Sequence, residues 1–232
     1  LPADAELVRA IAAVNPRTVV VIQAGSAVVC SDWDTEVAAI VQPFYGGEQA
    51  GSGLADVLFG DENPSARLPF TVPVSADDLP AFDRDADRFA YDRWHGWWRA
   101  ERLGLTPAYP FGFGLSYTSF ALDGGDVRLD GDTVVATGTV RNAGDRDGAD
   151  VVLLDAQLPD DDAPRRLVGF RRVEVPAGGS TEYEIRVPLD AVARRDPQDR
   201  TWTVPAGRYV FSVGRHAGDP AATRTPIELG GG

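Results

Sequence analysis

The chain has 232 residues, 44% hydrophobic and 25% charged, an ordinary globular balance for one or two domains. Its net charge of -13, with Arg supplying all 22 basic residues, argues against nucleic acid or an anionic membrane as main partner, since both need a basic face. The single Cys30 excludes an internal disulfide and a cysteine-based metal cluster, and no apolar run reaches membrane-spanning length.

The first elements alternate in type. Residues 4–15 place Leu7, Val8, Ile11, Ala12 and Val14 at helical period, and Pro16 ends the helix. Residues 18–23 (TVVVIQ) are β-branched without polar alternation, which predicts a strand covered on both faces. Residues 37–44 form a second such run, with helix possible at its start. Gly46, Gly47, Gly51 and Gly53 surround a helical patch over 54–59. Asn63-Pro64-Ser65 is turn chemistry, and residues 67–72 read as a short strand ending at Pro73. This alternation predicts a layered α/β unit with a largely parallel sheet.

Residues 75–102 are highly charged and then abruptly aromatic, and they read as a long loop that binds or covers something. From Phe120 the pattern becomes all-β. Strands are expected over 134–140, 151–156, 167–175, 181–187 and 208–213, with Gly/Pro turns at 176–179 and 205–207 and a turn at 142–145. Short strands at this spacing indicate a β-sandwich. The boundary is expected near 116–123, which gives domains 1–118 and 119–232. No internal repeat is seen. The chain has no Met and is expected to be a piece of something longer, so its compartment, cytoplasmic or secreted, is left open.

Six segments arrive in a distinctive order: NPRTVVVIQAG, PFYGGEQAGSGLADVLFGDENPSARLPFTVP, PAYPFGFGLSYTSF, VRNAGDRDGADVV, LVGFRRVEVPAGGS and VPAGRYVFSVG. Together they resemble the C-terminal half of glycoside hydrolase family 3 enzymes of the β-glucosidase type, over nearly the whole chain. The resemblance implies an α/β sandwich domain followed by a fibronectin type III-like β-sandwich. It implies a β-linked glucoside or oligosaccharide as substrate, and an N-terminal TIM-barrel domain as the missing partner. No cofactor or metal is expected.

Retaining glycosidases use two carboxyl groups about 5–5.5 Å apart, one as nucleophile and one as acid/base. In this family the nucleophilic Asp lies in the barrel, and a barrel needs about 250 residues that are not here. The acid/base Glu of close relatives falls before the segment matching Leu1-Pro2. The resemblance therefore implies that neither catalytic carboxylate is in this chain, which is expected to be inactive by itself. Ser31-Asp32-Trp33 mimics the context of the family's nucleophile. Its flanks belong to the second domain, however, so Asp32 is read as an exposed residue or the cap of a helix over 34–39.

The burst YDRWHGWW (91–98) is the best site candidate. Flat rings stack on sugars while neighbouring polar groups bond hydroxyls, and Trp94, His95 and Trp97 are the residues expected to do so. Packing between domains is the blander reading, because interfaces favour Trp and Tyr. Arg67 is expected to meet a carboxylate, as a structural ion pair. The aromatic residues of PFGFGLSYTSF are expected to pack, and His216 to be an exposed turn residue. Asp160-Asp161-Asp162 lacks the alternation of a Ca²⁺ loop and reads as solvated. The competing function is a non-catalytic carbohydrate-binding or interaction module.

Overall fold

The computed structural model describes residues 2–90, 92–159 and 165–230. They divide into two compact units. The first comprises the chain up to Glu62 together with Leu68–Phe111, and the second comprises Asn63–Arg67 together with the chain from Gly112 onward.

In the first unit, α1 (Pro2–Val14) precedes strand β1 (Val19–Val21) and strand β2 (Ala39–Val41). The two strands pair in parallel, Val20 opposite Ile40. Helix α2 (Ala50–Phe59) starts four residues earlier than the patch read from 54, running through Gly51 and Gly53. The expected strand at 67–72 is a single antiparallel bridge, Val72 to Tyr109. Among the described residues of 75–95 there is one 3₁₀ turn, Ala76–Asp78, capped by Ser75. The expected loop ends early, because Gly96–Leu103 is a helix, α3. At eight residues, about two turns, it is shorter than the window of roughly 11–18 residues over which a helical period is read from sequence.

The core of this unit is the cluster Cys30, Trp33 and Val72, with Ala5, Val8, Val20 and Ile40 packed against it. The apolar face expected of α1 splits in two. Val8 packs inward and Ala12 is buried, whereas Leu7, Ile11 and Val14 stay exposed along a second stripe. Likewise Val19 and Val21 of β1 are exposed. The strand expected to be covered on both faces packs Val20 toward the core and leaves Val19 and Val21 exposed on the other face.

The second unit is a sandwich of antiparallel strands. Its elements are β3 (Phe120–Asp130), β4 (Thr133–Asn142), β5 (Gly148–Gln157), β6 (Arg166–Val175), β7 (Ser180–Pro188), β10 (Gly207–Gly214) and β11 (Thr223–Leu229). A small hairpin, β8 (Arg194–Arg195) with β9 (Trp202–Thr203), lies between β7 and β10 in sequence. One sheet has the order β11-β10-β5-β6 and the other β3-β4-β7. β7 shows the two-residue period plainly: Tyr183, Ile185 and Val187 are buried, and Glu182, Glu184 and Arg186 are exposed. These side chains meet Val134, Ala136, Val152, Leu154, Tyr209 and Phe211 in one continuous core.

The turn at 142–145 is anchored by Asn142, which is buried. Its Nδ2 donates to the carbonyls of Arg146 (2.7 Å) and Val175 (3.1 Å), and its Oδ1 accepts from Thr118 Oγ1 (2.5 Å). Arg67 finds its carboxylate within the same unit. It pairs with Asp150, which is 1% exposed and also lies 2.7 Å from Arg215 Nε. Asp160, Asp161 and Asp162 lie outside the described residues.

Candidate functional site

Helix α3 begins directly after His95 and ends at Gly104, so the aromatic segment straddles the helix start. Asp92 Oδ1 accepts the Trp94 backbone N–H at 2.8 Å, a local turn that aims the chain into the helix. Arg99 Nε donates to the carbonyl of Asp78 at 2.8 Å, which ties α3 to the 3₁₀ turn. Between them, Thr71, Asp78, Arg99 and Ala100 border a small cleft of about 30 Å³, well below the size of a ligand pocket.

The three candidates differ in how free they are. Trp94 is half-buried and carries the Arg102 guanidinium 4.0 Å from its ring centre, with that of Arg93 at 5.0 Å. Trp97 is half-buried and stacks on Phe111, centroids 5.7 Å apart at 21°. His95 is exposed, 6.0 Å from the Trp98 ring. At least one face of each candidate Trp is thus engaged by a neighbour within the unit. Trp98 buries its Nε1–H without an acceptor among the described residues. Tyr91, the first ring of the segment, lies outside the described residues.

Asp32 sits in the turn before a 3₁₀ segment, Asp34–Glu36, that replaces the helix expected over 34–39. It does not cap that segment, whose cap position is Trp33. The Asp32 side chain is 81% exposed and its carboxylate lies 3.7 Å from Arg9, which also reaches Glu36 at 3.8 Å. Trp33 beside it is buried in the core. His216 is half-buried, and its Nδ1 lies 3.1 Å from the Ala217 carbonyl.

One cluster escaped the sequence reading. Tyr109 donates its hydroxyl to Asp34 Oδ2 at 3.0 Å, next to the buried Cys30. Burial, then the Asp34 charge, pushes the thiol up to about 11. Burial, then the hydrogen bond and charge of Asp34, pushes the phenol up to about 12. Both stay protonated at neutral pH, so the cluster holds no ready nucleophile and acts as a polar pin in the core. Seventy-odd intervening residues hid this pairing from any local pattern. Among the described residues, no group of three or more His, Cys, Asp or Glu side chains could hold a metal ion.

Residues 1–117 match the model of the glycosyl hydrolase family 3 C-terminal domain. The chain belongs to this family. Residues 151–217 further match a fibronectin type III-like domain, a match that starts inside β5. The fold is therefore the expected one, an α/β domain followed by a β-sandwich.

Among curated relatives, a probable beta-glucosidase I of Aspergillus clavatus is 37% identical over 92% of this chain and 27% of its own length. A beta-glucosidase of Kluyveromyces marxianus is 36% identical over 92% of this chain and 26% of its own length. Among solved structures, the Kluyveromyces marxianus beta-glucosidase in complex with glucose superposes with a TM-score of 0.86 at 33% identity, covering 97% of this chain and 28% of that one. This family 3 chain thus spans about a quarter of the length of the relatives it matches.

Proposed function

We propose that this chain is the C-terminal portion of a retaining β-glycosidase of the β-glucosidase type, which hydrolyses O-glycosyl bonds. In that enzyme it completes the active-site wall and stabilises a TIM-barrel domain. The observation that carries this reading is the family match over residues 1–117, with beta-glucosidases as relatives. The uncovered stripe Leu7, Ile11 and Val14 and the uncovered face of β1 support it, since apolar surface of this kind marks an interaction site. The proposed domains are 1–118 and 119–232.

Both catalytic carboxylates are assigned to the part of the enzyme outside this sequence. The exposure of Asp32 and its pairing with Arg9 support leaving it out, because a glycosidase nucleophile works beside a second carboxyl group across the scissile bond. In the substrate wall His95 is the group free to bond sugar hydroxyls. Trp94 offers the ring surface left by Arg93 and Arg102, and Trp97 anchors the helix through Phe111.

The test is an aryl β-glucoside assay. The chain alone is expected to show no turnover, and the chain joined to a family 3 barrel together with the segment that carries the acid/base Glu to hydrolyse the glucoside. Hydrolysis by the chain alone, abolished by Asp32→Asn, would overturn the assignment. In the joined enzyme, His95→Ala is expected to raise KM. An unchanged KM would remove His95 from the wall.

A further inference from the structure

We infer that Asp150 is a positioning residue, the clasp that fixes the base of the Leu68–Phe111 excursion. The chain leaves the second unit after Arg67 and re-enters it at Gly112, so both ends of this excursion are held there. On the outgoing limb, Arg67 is buried against Asp150. Asp150 accepts further from the Val151 backbone N–H at 2.9 Å and faces Arg215 at 2.7 Å. Arg215 is itself held: its Nη1 donates to the Phe120 carbonyl at 3.3 Å, and its backbone N–H donates to Asp219 Oδ2 at 2.9 Å.

The returning limb is pressed against the outgoing one. A Cβ on Gly114 would come within 2.6 Å of the Ala66 carbonyl oxygen and 2.7 Å of the Arg67 guanidinium. Gly112, at φ +84°, leaves no room for one either, with Leu153 2.8 Å and His216 3.0 Å from where it would lie. Asn63 adds a second bridge between the limbs. Its Oδ1 accepts from Ser116 Oγ at 2.8 Å and from the Tyr117 backbone N–H at 2.9 Å, while its Nδ2 donates to the Asp147 carbonyl at 2.9 Å.

The excursion so closed carries Thr71, Trp94, His95, Trp97 and Tyr109. Fixing the two ends of a long segment removes most of its loop-closure freedom. The residues that would meet sugar therefore depend on a carboxylate that belongs to the other unit. The inference rests on the proposed reading only in naming what the excursion is for. Its test uses no sugar, so the two can fail separately.

Amide hydrogen exchange of the 232-residue chain reads the clasp directly. Arg67→Gln leaves Asp150 its Arg215 partner and its backbone donor, so the sandwich keeps a compensated carboxylate. Exchange across residues 71–109 is expected to rise about tenfold or more, with β5 and β10 unchanged, as for the opening of one cooperative segment. Gly114→Ala, which attacks the other limb, is expected to give the same pattern. Arg67→Lys, which keeps the charge but not the fork, is expected to restore part of the protection. Unchanged exchange over 71–109 in both Arg67→Gln and Gly114→Ala would overturn the clasp. So would an equal rise in β5 and β10, because the ion pair would then stabilise the sandwich as a whole.

Discussion

The two units solve the problem of burying apolar surface very differently. The sandwich closes on itself: Val134, Val152, Tyr209, Phe211 and Val213 are all 1% exposed or less. The first unit buries Cys30, Trp33 and Val72 behind a sheet of two three-residue strands, while Leu7, Val14, Val19 and Phe59 remain in water. Each Val or Leu side chain left exposed forgoes about 1.5–3 kcal/mol of burial. The sandwich thus has a core of its own. The α/β unit leaves apolar surface exposed, as the proposed docking of a barrel domain would require. The difference teaches that one chain can pair a fold that buries its own apolar surface with one that leaves much of it uncovered.

The largest expected effect lies in the sandwich. Phe211→Ala is expected to cost about 3–5 kcal/mol in urea unfolding followed by far-UV circular dichroism, because the cavity has no water-facing side to collapse. A cost below about 1 kcal/mol would break the contrast by showing a loosely packed core.

Alkaline titration sharpens it next. Burial pushes Tyr183 in the sandwich up to about 12, and the first unit holds Tyr109 at about 12 and Cys30 at about 11. Each group keeps its proton more tightly folded than unfolded. Its contribution is therefore whole below the unfolded pKa and is lost as pH climbs toward the folded value. The first unit, with the thiol, is expected to weaken from about pH 9 and the sandwich from about pH 10. Near-UV dichroism of the Trp residues and far-UV dichroism of the strands separate the two. Coincident transitions would mean that the units unfold as one.

Smaller again, Tyr109→Phe removes the hydroxyl that bonds Asp34 and is expected to cost about 1–2 kcal/mol, read in thermal unfolding. It should also narrow the alkaline loss of the first unit to the step from Cys30. Smallest is Leu7→Glu on the exposed stripe, expected to change the stability of the chain alone by less than about 0.5 kcal/mol. In a barrel-joined enzyme the same substitution is expected to loosen the assembly, measured as a fall in melting temperature. No fall there would count against the stripe as a docking face.

Local pattern and motif order were enough for much of this protein. The spacing of short strands placed β7 over 181–187, and the structure shows there the period of two that a pleated strand between core and water enforces. Glycine and proline set the turns, and the order of segments such as ADVLFGDENPSARLP and PFGFGLSYTSF identified the family. Arg67 was legible as half of an ion pair from its chemistry alone. What sequence could not decide was which of two apolar faces of α1 turns inward, since both Val8 with Ala12 and Leu7 with Ile11 satisfy the helical period. Nor could it show that Trp94 and Trp97 have a face already taken, that Tyr109 reaches Asp34, or that Asp150 is the partner of Arg67. Periodicity records that a residue prefers burial. Which atoms bury it depends on where distant segments cross, and that is settled only when the chain is packed.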